Sequence, residues 1–272
     1  MSDQPEHFHS IALIGVPVDA HSSFLRGCAL GPAAIRSAIR AESSNSYAEN
    51  GVDTARDGLL LDLGDLPVGN RGHDHPLIQA SAAEQYRHGR TVIALGGDHS
   101  VTFPLVAAMA GFHPGANLLH IDAHGDLYDA YDGDPLSHAS PFARIMENGL
   151  VANLVQVGIR TLNPHQKAQA ERFGVHQFSA RNFAGAVERL GVGPTYVSID
   201  LDGLDPAYAP GVSHHEPGGL TVREVLDLID AVPGPIVGAD VVELNPTRDI
   251  NGMTAMVAAK LVKELIGRMA TA

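Results

Sequence analysis

Short runs of Val, Ile and Leu recur along this chain, each followed by a stretch of helical character. The runs fall at residues 11–16, 58–63, 91–95, 117–121, 153–157, 175–178, 195–199 and 236–242. They are almost continuously apolar, which is how strands read when both faces of their sheet are covered. Between them the pattern predicts helices at 32–40, 76–88, 101–110, 141–148, 164–173, 183–190, 222–231 and 252–269. Several open on Pro in the first turn or follow Ser, Asn or Thr, as a helix start should. Eight runs share 272 residues, about 34 each, the length of one βα unit. Strict alternation of β and α argues for one parallel sheet with helices on both faces. No Pro/Ser-rich linker or internal repeat interrupts it, so residues 1–272 are expected to form one domain, with residues 1–9 as a tail. Periodicity alone also allows a closed eight-fold barrel.

Composition removes several classes of function. A net charge of −13 makes the chain a poor partner for phosphate backbones or anionic lipid, so neither nucleic acid nor membrane is expected. No apolar run approaches the ~18 residues that span a bilayer. The one cysteine, Cys28, cannot form an internal disulfide. The start, Met1-Ser2-Asp3-Gln4-Pro5-Glu6, has neither the basic nor the apolar region of a secretory signal. A cytoplasmic protein is the expectation. The unusual residue is histidine, with 15 copies against 8 Phe and no Trp.

In parallel sheets of this kind ligands bind at the carboxyl ends of the strands. The chemistry-bearing residues collect there. Leu118-Leu119-His120-Ile121-Asp122-Ala123-His124-Gly125-Asp126 leaves an apolar run and presents Asp122, His124 and Asp126 two residues apart. Alternation in an extended chain puts such residues on one side. Val197-Ser198-Ile199-Asp200-Leu201-Asp202 does the same with two carboxylates, and Gly96-Gly97-Asp98-His99 adds an imidazole. Four carboxylates at one sheet edge would repel one another and resist desolvation unless a counter-charge is supplied. Two divalent cations would balance them. Oxygen-rich ligation with some imidazole and no thiolate points to Mn²⁺ before Zn²⁺, with Ni²⁺ and Co²⁺ as further options. Two metals about 4 Å apart can share one hydroxide and aim it at an electrophilic carbon.

With these motifs in place, the sequence resembles the ureohydrolase family of arginase, agmatinase and guanidinobutyrase. The match also includes Gly15-Val16-Pro17, Gly31-Pro32, Ile35-Arg36, Ser137-His138, Asp202-Gly203-Leu204-Asp205-Pro206, Pro217-Gly218-Gly219 and Glu243-Leu244-Asn245-Pro246. The resemblance implies a binuclear Mn²⁺ hydrolase that cleaves a guanidino C–N bond to urea and an amine. It implies a three-layer α/β/α sandwich with an eight-stranded, mostly parallel sheet, and a homo-oligomer, trimeric or hexameric. On the matching positions His99, Asp122, His124, Asp126, Asp200 and Asp202 would hold the metals. Asp126 would also orient the attacking hydroxide and pass a proton to the leaving amine. Glu243 would pair with the guanidinium of the substrate, and His138 would shuttle protons.

Two features direct the substrate expectation toward agmatinase-type members and guanidinobutyrase rather than arginase. Arginases follow their Gly-x-Arg with an acidic residue, whereas Arg160 is followed by Thr161-Leu162-Asn163. Residues 127–137 carry Asp129, Asp132 and Asp134 in place of an Asn/Thr/Ser-rich segment, which suits a cationic tail such as agmatine's. His214 and His215 pull the other way, since adjacent imidazoles suit a carboxylate. Alternatives are a formimino-glutamate hydrolase on the same scaffold and, more distantly, a metal-binding pseudoenzyme. Asp205 is read as shaping the turn before Pro206, and Cys28 as a small loop residue. His7, His9, His73 and His75 are read as tail and loop histidines.

Overall fold

Period-two alternation sorts the side chains of the central strands between two separate cores. In β3 (Thr91–Gly96), Ile93 and Leu95 join one core while Val92 and Ala94 join the other. The same division splits Leu119 and Ile121 from Leu118 in β4 (Asn117–Ile121). These observations come from a computed structural model, which describes residues 10–70 and 72–271. The proposed tail, with His7 and His9, lies outside the described residues.

The remaining strands are β1 (Ile11–Val16), β2 (Leu60–Asp65), β5 (Asn153–Val157), β6 (His176–Phe178), β7 (Thr195–Asp200) and β8 (Ile236–Val242). They form one sheet in the order β2-β1-β3-β8-β7-β4-β5-β6, and every pairing is parallel. The sheet is open, with β2 and β6 as its edges, so the barrel is excluded.

Helices cover both faces, giving the expected three layers. Helices α1 (Gly31–Ile39), α6 (Val222–Asp230) and α7 (Met253–Met269) bury Ile35, Val225 and Leu261 in the first core. Helices α2 (His75–Arg87), α3 (Thr102–Ala110), α4 (Pro141–Glu147) and α5 (Pro164–Phe173) bury Ile78, Leu105, Phe142 and Ala170 in the second. Local signals set their ends. Thr221 and Glu224 form a capping box on α6, and α5 runs from the Asn163 cap to a left-handed Gly174.

Two elements depart from the sequence reading. Residues 183–190 hold only a 3-10 turn at Val187–Arg189, because Gly185 at φ 78° interrupts a segment too short to nucleate a helix around it. Strand β2 begins at Leu60 and is an edge strand, with Leu61 and Leu63 well exposed rather than covered on both faces. Its polar side is held by Arg36, which pairs with Asp62 and Asp65.

The strand order matters most at the carboxyl ends. Strands β3, β8, β7 and β4 are consecutive neighbours in the sheet, although they lie far apart in the chain. Their last residues and the loops that follow carry His99, Glu243, Asp200 with Asp202, and Asp122 with His124 and Asp126. Gly97 fixes how closely these loops approach. Its carbonyl accepts the Glu243 N–H at 2.9 Å, and a Cβ there would lie 1.7 Å from the Val18 carbonyl oxygen. Backbone oxygen cannot yield as a flexible side chain would. Gly97→Ala is therefore expected to destabilise the chain by about 3 kcal/mol, at the upper end of over-packing penalties. Urea unfolding of metal-stripped protein checks it, and an unchanged midpoint would remove this account of the loop junction.

Candidate metal centre

The strongest signal in the site is one nitrogen with no hydrogen-bond partner. His99 is fully buried in the turn after β3, and its ring is held from behind. Ser198 Oγ donates to Asp240 Oδ1 at 2.7 Å and so accepts the His99 Nε2–H at 2.9 Å. Asp240 is anchored in turn by the hydroxyls of Thr102 and Tyr196. That tautomer leaves a lone pair on His99 Nδ1, which has no hydrogen-bond partner among the described residues. Around it lie Asp122 Oδ2 at 3.2 Å, Asp126 Oδ2 at 3.2 Å and Asp200 Oδ2 at 3.1 Å. Four electron-rich atoms converging on one buried point fit a cation.

A second group adjoins the first through Asp122. His124 Nδ1 lies 3.3 Å from Asp122 Oδ1 and 3.1 Å from Asp202 Oδ2, and these three residues can hold a metal together. Burial, then the charges of Asp202 and Asp122, push the Asp200 carboxyl well above its ordinary range. Burial pushes Asp202 up to about 7, with Asp122 adding to it against the pull of His124. The imidazoles of His99 and His124 move up as well, since the surrounding carboxylates outweigh burial. The cluster therefore attracts positive charge, as protons or as metal.

Glu243 and His138 form the neighbouring pair. Glu243 is buried after β8 in a left-handed backbone conformation, φ 64°, and Asp126 has φ 46°. Positive φ is costly for glutamate and is held here by the surrounding loops. The carboxylate accepts from His99 N at 2.9 Å, His138 Nδ1 at 2.7 Å and Cys28 Sγ at 3.2 Å. Burial would raise its pKa, but His138 and these donors hold it at about 2. It is a fixed buried negative charge. His138 Nε2 accepts the Ser23 backbone N–H at 3.1 Å, so its proton sits on Nδ1, toward Glu243.

A cavity of about 220 Å³ opens onto these groups. Asp126, His124, Asp200, Asp202, His138 and Glu243 line it, with Tyr128, Thr161, His214 and Glu216 among the other residues. His99 and Asp122 lie beneath it, fully buried. A larger groove of about 900 Å³ beside Arg36 and Asp62 holds neither cluster.

All eight residues singled out from the sequence thus meet in one place. Sequence reasoning missed Ser198, Asp240 and Ser23, which orient the histidines, and His120, which touches Asp122. His120 did carry a signal, standing two residues before Asp122 on the same face. Cys28, read as a small loop residue, contacts Glu243. His75 heads α2 and packs against His21, ring centres 5.3 Å apart, rather than lying in a loop. Asp205 does shape its turn, accepting the N–H groups of Ala207, Gly218 and Gly219.

The two cues toward agmatine lose their footing in the geometry. None of Asp129, Asp132 and Asp134 lines the cavity. Asp129 accepts from Gln169, Asp134 pairs with His21, and Asp132 is exposed in a turn. Arg160 is a strut whose guanidinium bonds the carbonyls of Gly158, Asp202, Gly203, Leu204 and Glu216. Of the two adjacent imidazoles, His214 lines the cavity, while His215 turns away to the Pro210 carbonyl.

Comparison with known proteins agrees. Arginase 1, mitochondrial, of Arabidopsis thaliana is 46% identical over 277 residues, covering 96% of this chain and 81% of that protein. The solved structure of arginase from Medicago truncatula superposes with a TM-score of 0.88 at 43% identity, covering 97% of this chain and 88% of that one. Agmatinase of Bacillus anthracis is 32% identical, covering 94% of this chain and 90% of that protein. The expectation of greater closeness to agmatinases, and of an agmatine-like substrate, is overturned by these identities. The cytoplasmic expectation does not stand either, because the Arabidopsis relative bears a mitochondrial name. A family model described as Arginase family matches residues 9–267, and with these relatives it establishes that the chain belongs to the arginase family.

Proposed function

We propose that this chain hydrolyses the guanidino group of arginine, releasing urea and leaving ornithine, at a pair of divalent metal ions, manganese first among them. The observation that carries the metal reading is the unpartnered His99 Nδ1 among three carboxylate oxygens. His99, Asp122, Asp126 and Asp200 would hold one ion, and Asp122, His124 and Asp202 the other. Bound there, the metals would supply the Lewis acidity that makes water nucleophilic near neutral pH.

The chain's own residues then do the positioning. Glu243, ionised at any working pH, opposes the planar guanidinium with charge-assisted hydrogen bonds. Asp126, one of these candidate ligands, also lines the cavity, where it takes a proton from the attacking water and passes it to the leaving nitrogen. His138 links Glu243 on Nδ1 to Ser23 on Nε2, a path for protons to the cavity. Glu216 suits the α-amino group of arginine from the loop that carries His214, not from the segment after Arg160. Ser23 and His214 suit its carboxylate. We carry assembly into a trimer or hexamer as part of the same proposal.

Three outcomes are expected. Urea release from the Mn²⁺-loaded protein should be faster, in kcat/KM, with arginine than with agmatine or guanidinobutyrate; the reverse order would overturn the substrate assignment.

Mn²⁺ affinity should rise with pH through about 7, because Asp202 titrates there and metal must displace its proton. Metal uptake should approach two ions per chain and release protons into a weakly buffered solution. Affinity that is flat between pH 6 and 8 would contradict this.

Glu243→Gln should lower kcat/KM by about 10²–10³-fold, since a substrate cation then lacks its buried partner. His138→Ala should lose mainly kcat, about 10²-fold, and regain part of it with added imidazole. Normal turnover by the Glu243 variant, or metal loss from the His138 variant, would show that these roles are wrong.

A further inference from the structure

His120 has no part in the chemistry above, yet its ring touches the ligand cluster. It is fully buried in β4, stacked on Phe142 with ring centres 3.7 Å apart. Its Nε2 is 2.7 Å from Asp122 Oδ2, and its Nδ1 is 2.9 Å from Gln156 Nε2. Ligand atoms of His99, His120 and Asp122 lie within 4.8 Å of one another, so distance alone admits His120 as a third imidazole ligand.

The hydrogen bonds decide otherwise. Gln156 Nε2 also donates to the Gly125 carbonyl at 2.7 Å. A carbonyl oxygen only accepts, so this end of the amide is the NH₂. Gln177 Nε2, donating to Gln156 Oε1 at 2.7 Å, fits the same orientation. Gln156 therefore donates to His120 Nδ1, and a ring nitrogen that accepts carries no proton. The ring's single proton is on Nε2 and points at Asp122 Oδ2. A nitrogen donating its N–H has no lone pair for a cation.

Asp122 is thereby tethered on both oxygens. Oδ2 accepts from His120, and Oδ1 accepts the His124 backbone N–H at 2.6 Å. Each oxygen keeps capacity for one more partner. Oδ2 lies 3.2 Å from His99 Nδ1 in one cluster, and Oδ1 lies 3.3 Å from His124 Nδ1 in the other. We propose that His120 is a positioning residue: the Gln177–Gln156–His120 relay holds the Asp122 carboxylate astride the two clusters and so sets how tightly the metal pair is bound. The inference rests on the paired-metal reading above.

The test measures Mn²⁺ binding without substrate, following free Mn²⁺ by electron paramagnetic resonance. His120→Phe keeps a flat ring over Phe142 and deletes the N–H. His120→Gln places an amide N–H at about the reach of Nε2. The Phe variant and Gln156→Leu are expected to bind Mn²⁺ about ten- to a hundred-fold more weakly, and His120→Gln to recover most of the loss. Wild-type affinity in His120→Phe overturns the relay, and so does a His120→Gln variant no better than Phe. Pulsed resonance on the wild type should count one imidazole nitrogen on each bound ion, two for the pair, and a third would make His120 a ligand instead. Should His120→Phe fail to fold, Gln177→Leu, at the half-buried end of the relay, is expected to lose affinity several-fold, and no change there overturns the proposal. A wild-type chain that never takes up a second ion overturns the paired-metal reading and the relay with it. Two tightly bound ions with unaffected variants overturn the relay alone.

Discussion

The rest of the structure is organised around a concentration of negative charge that water alone could not stabilise. Asp122, Asp126, Asp200, Asp202 and Glu243 are all buried at one edge of one sheet. Moving a carboxylate out of water is expensive, and crowding like charges adds to the cost. Such a cluster persists only where cations, protons or directed N–H groups compensate it. The chain supplies the third of these densely: the backbone N–H groups of Ala123, His124, His99 and Asp202 each donate to one of these carboxylates or to its neighbour.

Rigidity follows from that requirement. Lone pairs must point at fixed positions, so His99 and His138 are each oriented through their other nitrogen. His99 leans on Ser198 and Asp240, and His138 on Ser23. Backbone strain serves the same end. Glu243 and Asp126 occupy left-handed conformations that the adjoining loops impose, and Gly97 lets the β3 loop lie against Val18 where no side chain fits. The four central strands lend these loops a platform covered on both faces by helices.

Much of this was legible in the sequence, and for a physical reason. Strands buried on both faces are mostly apolar, so the bounds of β1, β4, β5 and β8 could be read from their runs of Val, Ile and Leu. Candidate metal ligands at strand ends follow period-two spacing, which is why Asp122, His124, Asp126, Asp200 and Asp202 stood out together. The order of strands was not legible, because nothing local in the chain records that β8 inserts between β3 and β7. Helix periodicity misled at 183–190, where a single glycine conformation outweighed the apolar pattern. Edge position hid β2's register, since Leu61 and Leu63 look buried in a one-dimensional reading. His120 escaped notice because its role lies in a hydrogen bond to Gln156, a partner on the neighbouring strand.

The substrate tail was misread for a different reason, and it limits what sequence can say about enzymes built this way. In the proposed reading the guanidinium end meets groups whose direction the fold dictates, so residue type and spacing suffice. The tail is met by loop residues, where direction depends on turns rather than periodicity. Asp129 and Asp134 differ little in sequence context from Asp126, yet one is tied to Gln169, another to His21, and only Asp126 reaches the cavity. Counting acidic residues in that loop therefore measured its charge and not the charge the substrate meets. The cavity's own lining places one carboxylate, Glu216, and one imidazole, His214, beyond the candidate metal ligands and their neighbours. A zwitterionic head uses both of these groups, whereas a bare amine would leave the imidazole unpartnered, and that difference is what favours an amino acid over its decarboxylated counterpart.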